Sequence, residues 1–340
     1  MEFWRTAQLM EARIVDAYAK VGSVPEEDEL VLSNYLEGKR IPLAACCAPS
    51  LTRDKIEHLA AKHLLTLPLK LAVANKADRR DSCNAEAHAV ASLRDIDEFI
   101  YIEPGLAVAS PALCVVTGAR GKDLIASAIS IAKACSPYII DKSFIHIGKR
   151  SLTSKAEVYR CTEQLQGSSS VILRSRAKTV LNTIPFVSEN LYSPREIALQ
   201  LLLCLPKRIG GFGLPVPTAN KILPLNKKQR ALCDRSYLLP DLLWENAALD
   251  VEYNGYEFHS SSAQIESDRT RKAALATMGF EVIEVDSLTL SSISETRKIA
   301  TRIARRNGIE LETRGPSFDE KHIMLRSRLL HPSSLDFSTA

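Results

Sequence analysis

The sequence predicts an α/β protein in which a helical N-terminal segment and a mixed α/β accessory region precede a C-terminal domain made of a small mixed sheet flanked by helices. Three observations predict it. Apolar residues recur at near-helical spacing over 1–22, and short apolar runs broken by one helical pattern fill about 65–147. Two strand patterns, at 249–254 and 280–285, are separated and followed by helical ones. At 340 residues the chain is longer than most single cores grow. The divisions read as 1–64, 65–190, 191–308 and a polar tail over 309–340.

In the first segment Phe3, Leu9, Met10, Ile14, Val15 and Tyr18 define an opening amphipathic helix that Gly22 and Pro25 end. Two shorter helical patterns follow, around 28–36 and after Pro49. Three short helices suit either a winged-helix-like domain that touches DNA or a plain packing scaffold. From 65 onward the runs at 67–73, 99–102, 106–108, 113–116 and 143–147 read as strands. Helices are expected near 123–134, over 154–166 and over 174–181, the last carrying Arg174, Arg176 and Lys178. Residues 206–228, rich in Gly, Pro and Lys, read as a loop. Its Gly210, Gly211 and Gly213 lack the Lys-Ser/Thr ending of a phosphate loop, so a nucleotide site there is not expected.

Composition excludes some classes. Forty-four basic against 40 acidic residues leave a net charge of +4, too small to argue nucleic-acid binding from bulk charge. Any such surface must be local. The eight cysteines form no CxxC pair of the kind that holds zinc and mostly sit in apolar company, which suits free thiols in a reducing cytoplasm. No run approaches the ~20 apolar residues of a membrane span, and the N-terminus has no signal-peptide pattern, so a soluble, cytoplasmic protein without a membrane partner is expected. The sequence leaves the oligomeric state open.

The chemistry concentrates between Ser193 and Ile299. Leu249, Val251 and Tyr253 alternate with Asp250, Glu252 and Asn254, as in a half-buried strand, and Asn254-Gly255 signals a turn. A hairpin of 238–244 against 249–254 brings Asp241 beside Glu252. Two adjoining carboxylates repel unless a cation lies between them, and magnesium is the economical choice. The plain alternative is a turn-capping Asp241 and a solvent-facing Glu252. Ser193, Pro194 and Glu196 have the spacing of a helix start with a capping box. Downstream, Asp268, Arg271 and Lys272 share about one helical turn; Arg271 either clamps a phosphate or pairs with Asp268. The helix over 294–306 carries Arg297, Lys298, Arg302, Arg305 and Arg306, which suits either a phosphate backbone or a solvated face. The tail from Arg314, with Pro316, Pro332 and several serines, is expected to fray or pack loosely.

Pro240-Asp241, ten intervening residues, then Glu252, Tyr253 and Asn254 resemble the PD-(D/E)xK nuclease signature. The wider pattern resembles its very-short-patch-repair-like branch. Glu252-Tyr253-Asn254-Gly255 with His259 is similar to the Glu-x-Asp-Gly strand and following His. Asp268, Arg271 and Leu275, the run 279–285, and the Ser-Pro-x-Glu opening at Ser193 match further elements in order. The resemblance implies a restriction-endonuclease-like sheet, Mg2+ (or Mn2+) on Asp241 and Glu252, and Glu196 as a third acid. It also implies assisting roles for Asn254 and His259, and a DNA partner met by Arg271, Lys272, Arg297 and Lys298. Asn254 stands where the superfamily usually has lysine, which puts catalysis in doubt, since neutral Asn only hydrogen-bonds. Residues 103–112, with Val108, Ser110 and Pro111, also resemble a turn of AbiEi-type antitoxin-like proteins. The expectation is a metal-dependent DNA endonuclease of repair or phage defence. The alternative is a catalytically inactive, nuclease-fold DNA-binding regulator or antitoxin of an abortive-infection-type system.

Overall fold

The structure, a computed structural model, describes residues 54, 57, 69–73, 83–89, 98–103, 106–119, 121–141, 144–147, 151–254, 262–311 and 315–330. Except for residues 54 and 57, the expected N-terminal helices lie outside the described residues, as does His259. The chain divides into two compact units, one formed by 1–134 and 152–184 and the other by 135–151 and 185–339.

In the first unit, β1 (Leu69–Val73) pairs parallel with β2 (Ala85–Ala89), and β3 (Phe99–Glu103) pairs antiparallel with β4 (Leu106–Ala109). The run 113–116, expected as a strand, lies instead in α1 (Pro111–Gly118). Ser110 caps that helix, its Oγ accepting from Leu113 N and donating to the buried Glu98 at 2.5 Å, and Pro111 takes the first helical position. A side-chain cap plus a proline with preset φ outweighs the strand preference of Val115 and Val116. Helices α2 (Leu124–Ala134), α3 (Lys155–Gln166) and α4 (Val171–Leu181) follow. Leu113, Val116, Ile131, Val158, Leu165 and Val180 are among the buried side chains. Two of the basic residues on α4 serve the fold: Arg174 donates to Ser168 O and Arg176 to Thr117 O, each at 2.5 Å.

The second unit is mixed α/β, with helices flanking a small mixed sheet. The antiparallel hairpin of β5 (Tyr138–Asp141) and β6 (Phe144–Ile147) precedes α5 (Pro194–Cys204), whose residues from Glu196 to Cys204 are all buried. The expected loop over 206–228 contains β7 (Thr218–Ala219), β8 (Leu223–Pro224) and the start of α6 (Lys227–Cys233). Strand β8 pairs with β9 (Tyr237–Leu238). The sheet itself runs β12-β11-β10-β7, with β10 (Leu242–Trp244), β11 (Leu249–Tyr253) and β12 (Glu281–Val285). Strand β10 is antiparallel to both neighbours, whereas β11 and β12 are parallel, joined through α7 (Ser262–Thr277). A parallel pair needs such a crossover.

Register assigns the faces. Leu243 opposite Asp250, and Asp250 beside Val282, share one face; Leu242, Val251 and Ile283 share the other. On the first face Leu243 and Val282 pack with Ala274 and Leu275 of α7 and with Leu223, Leu225 and Leu238. Ala273, beside them on α7, is exposed. Because α7 covers this face, β11 is not half-buried: its residues from Leu249 to Glu252 are all buried. Helices α8 (Ser287–Ser291) and α9 (Ile293–Arg306) follow.

The tail expected to fray forms α10 (Pro316–Leu330), which packs on α5 and buries Leu325, Leu329 and His322. His322 Nδ1 donates to Gly210 O at 2.7 Å while its ring contacts Phe212 and Phe318, and Arg326 donates to Leu290 O and Thr296 Oγ1. This docking explains the glycine at 210. Gly210 has φ +95, and a Cβ on it would lie 2.3 Å from Lys321 O. We expect Gly210→Ala to cost on the order of 2 kcal/mol or more, read as a lower urea midpoint with an unchanged slope.

Candidate functional site

The site grows from the β10–β11 hairpin. Pro240 has no N–H for the ladder, and β10 begins two residues later. With Leu242 opposite Val251, the register carries Asp241 to the position opposite Glu252, as the sequence pattern requires. The Asp241 Oδ2 accepts from Tyr253 N at 2.7 Å, a side chain standing in for a main-chain acceptor beside the proline.

Glu252 is 4 % exposed and Asp250 0 %. They lie two residues apart on β11 and therefore project on the same face, under α7. Arg271 of α7 meets them there. Its Nη1 donates to Glu252 Oε2 at 2.5 Å, and its Nη2 donates to Glu252 Oε1 at 2.6 Å and to Leu239 O at 2.7 Å. The helix thus partners Arg271 with Glu252 and Leu239 O; the side chain of Asp268, the other partner expected from spacing, lies outside the described residues. Neither Asp250 oxygen has a hydrogen-bond partner in bonding geometry; Glu252 and the Leu242 main chain lie beside it.

Glu196 closes the cluster from α5. Ser193 caps that helix by accepting from Glu196 N at 3.1 Å. The return bond of a capping box is shifted by one residue: Glu196 Oε2 accepts from Tyr192 N at 2.8 Å, and also from Asn220 Nδ2 at 3.0 Å. Asn220 in turn donates to Asn190 O and, through its main chain, to Asp241 O. Glu196 therefore belongs to the helix start and also lies close enough to raise Asp241.

All four carboxyls are pushed upward. For Asp241, burial comes first, then the charges of Glu252 and Glu196; Tyr253 N and Arg271 only partly offset them. Burial, then the Asp250 contact and charge, push Glu252 up to about 9 despite Arg271. Asp250 is raised to about 6, again chiefly by burial, and burial raises Glu196 against its three hydrogen bonds. Asp250 and Glu252 titrate as a pair. The bidentate bond to Arg271 favours the ionised form of Glu252 and opposes the effect of its burial. Burial opposes the charge on Arg271, but Glu252 and Asp241 together hold it on.

The remaining candidates lie apart from this cluster or at its rim. Asn254 donates to Glu284 Oε1 at 2.7 Å, and Lys272 reaches the same oxygen at 2.5 Å. Arg297 pairs with Asp319 of α10 and Lys298 with Glu295 of its own helix, while Arg302 and Arg306 share Glu281. Among the described residues no three His, Cys, Asp or Glu side chains are arranged to hold one metal ion, and no helix is long and apolar enough to cross a membrane. The six described cysteines form no disulfide with one another. Sequence reasoning missed Asp250 and Asn220 as site residues. The period-two pattern already placed Asp250 on the face of Glu252, whereas Asn220, in a two-strand turn, carried no signal.

Comparison with family models, with curated proteins and with solved structures gives no match to this chain.

Raised carboxyls make stability depend on pH in a definite sense. The folded state retains protons that the unfolded chain releases near pH 4. Their stabilising contribution is complete below that point and is lost as pH rises toward about 9, where Glu252 titrates. Without divalent cations, the urea midpoint of the wild type should fall across this window. Glu252→Gln should flatten the profile.

Proposed function

We propose that the second unit is a metal-dependent nuclease domain acting on DNA, built on the PD-(D/E)xK plan that Asp241 and Glu252 resemble. The observation that carries this reading is the charge imbalance of the cluster: the buried Asp250 and Glu252 and the half-buried Asp241 share one sheet face with one guanidinium, and Glu196 borders it. A structural acid is normally buried one to a cation. An excess of carboxyl groups whose charges oppose one another is the donor set of a hard divalent ion, magnesium or manganese. The orphaned carboxylate of Asp250 fits that ion.

Asp241 and Glu252 would hold the metal, and Glu196 would keep Asp241 in place through Asn220. A metal bound there supplies Lewis acidity at a phosphodiester and acidifies an attacking water. Asn254 offers an amide that orients by hydrogen bonding but delivers no proton. Lys272, Arg297 and Lys298 sit in ion pairs that are partly or largely exposed. Such pairs contribute only ~0–1 kcal/mol, so phosphate oxygens compete for these cations at little cost.

One observation favours a second reading. Arg271 engages both oxygens of Glu252, and Asn254 is bonded to Glu284 at the position where lysine is usual, as expected of a nuclease fold that binds DNA without cutting it. Plasmid and single-stranded DNA incubated with Mg2+ or Mn2+ separate the two. The nuclease reading expects cleavage by the wild type and a drop of roughly a hundredfold or more in Asp241→Ala and Glu252→Ala. Salt-dependent binding by all three proteins without cleavage establishes the binding module instead.

A further inference from the structure

Every acid of the cluster but one has a hydrogen-bond donor. Glu196 has Tyr192 N and Asn220 Nδ2, Asp241 has Tyr253 N, and Glu252 has Arg271. Asp250 has none in bonding geometry, although it is wholly buried; only another acid, Glu252, and the Leu242 main chain lie beside it. The Arg271 guanidinium is the cation at hand, but its bonds go to Glu252 and Leu239 O and leave Asp250 unserved. Lys272, next on the helix, is engaged by Glu284. One monovalent fork thus stands among three carboxyls and bonds to one of them.

We propose that Arg271 is a resident countercation which a divalent metal ion displaces, and that Asp250 then becomes a metal ligand beside Asp241 and Glu252. This rests on the reading of the cluster as a metal site. Three features carry it. A guanidinium matches one carboxylate with two parallel bonds and has its remaining reach fixed by planarity. A divalent ion carries twice the charge, is compact, and accepts several carboxylates at once. Its entry therefore answers the unserved oxygens of Asp250, which no rotation of Arg271 does while the fork stays on Glu252. Access follows from exposure: the Arg271 side chain is 20 % exposed against 5 % for Glu252, so solvent meets the guanidinium before the carboxylate. Both residues line a surface depression together with Asn254, Lys272 and Glu284. The absence of a ready-made three-acid cage among the described residues is then a property of the guanidinium-bound state.

Displacement makes Arg271 a competitor of the metal, the opposite of a residue that merely supports the site. The test is Mn2+ binding to the full chain, followed by electron paramagnetic resonance at fixed ionic strength, with thermal unfolding recorded alongside. Arg271→Gln is expected to bind Mn2+ at least tenfold tighter than wild type, Arg271→Lys to fall between them, and Asp250→Asn to bind at least tenfold weaker. Mn2+ should also raise the melting temperature of Arg271→Gln more than that of wild type, including recovery of a transition if this variant is unfolded without metal. Unchanged or weaker binding in both Arg271 variants, no such recovery, or wild-type affinity in Asp250→Asn, overturns the proposal. If Asp241→Ala has meanwhile lost Mn2+, the metal site itself still stands. No Mn2+ bound by wild type or by either Arg271 variant overturns the metal reading as well.

Discussion

The second unit is organised around one constraint: three carboxyls enclosed between a sheet face and a helix, with a single guanidinium among them. Asp241 is fixed by the hairpin register, Asp250 and Glu252 by alternation along β11, and Arg271 by the turn of α7 that crosses them. Placing charge in such a space costs several kcal/mol per ion unless it is matched. The bidentate Arg271–Glu252 bond matches one charge, and the rest must be answered by protons or by a cation.

That requirement explains much of the surrounding architecture. Leu243, Val282, Ala274 and Leu275 seal the same face against water, which deepens the desolvation of the acids beside them. Glu196 occupies the first turn of a helix whose remaining length is fully buried, so its carboxylate is held by main-chain and amide donors rather than by solvent. Asn220, with its own left-handed backbone at φ 47, links that helix start to the strand carrying Asp241. On the outer surface the basic residues of α9 meet Asp319, Glu295 and Glu281, so the helix is not an unbroken positive stripe. The +4 net charge of the chain is consistent with that local balance.

Much of the second unit was legible from local chemistry. The cap at Ser193, the α5, α7 and α9 helices and the β10–β11 pairing follow from short-range signals: side-chain acceptors before helical runs, period-two alternation, and a Pro-Asp before a strand. The errors came where distant contacts override such signals. Pro316, the serines and the charges of the tail read as a loose end, yet Leu325, Leu329 and His322 form one docking face once Gly210 leaves room for it. Val115 and Val116 read as strand until Ser110 and Pro111 are recognised as a helix start.

The sequence by itself determined which residues share a face: Glu252 with Asp250 and Asn254, Asp241 opposite Glu252, Arg271 one turn from Asp268. Backbone periodicity sets these relations, and it is a local property of the chain. Tertiary structure alone decided what covers each face. It buried Asp250 and left Asn254 at the edge, gave Arg271 to Glu252, and set Glu196 against Asp241. Those outcomes depend on the parallel crossover that lays α7 over β11, and the free energy of a buried charge depends on its whole surroundings, which no stretch of neighbouring residues contains.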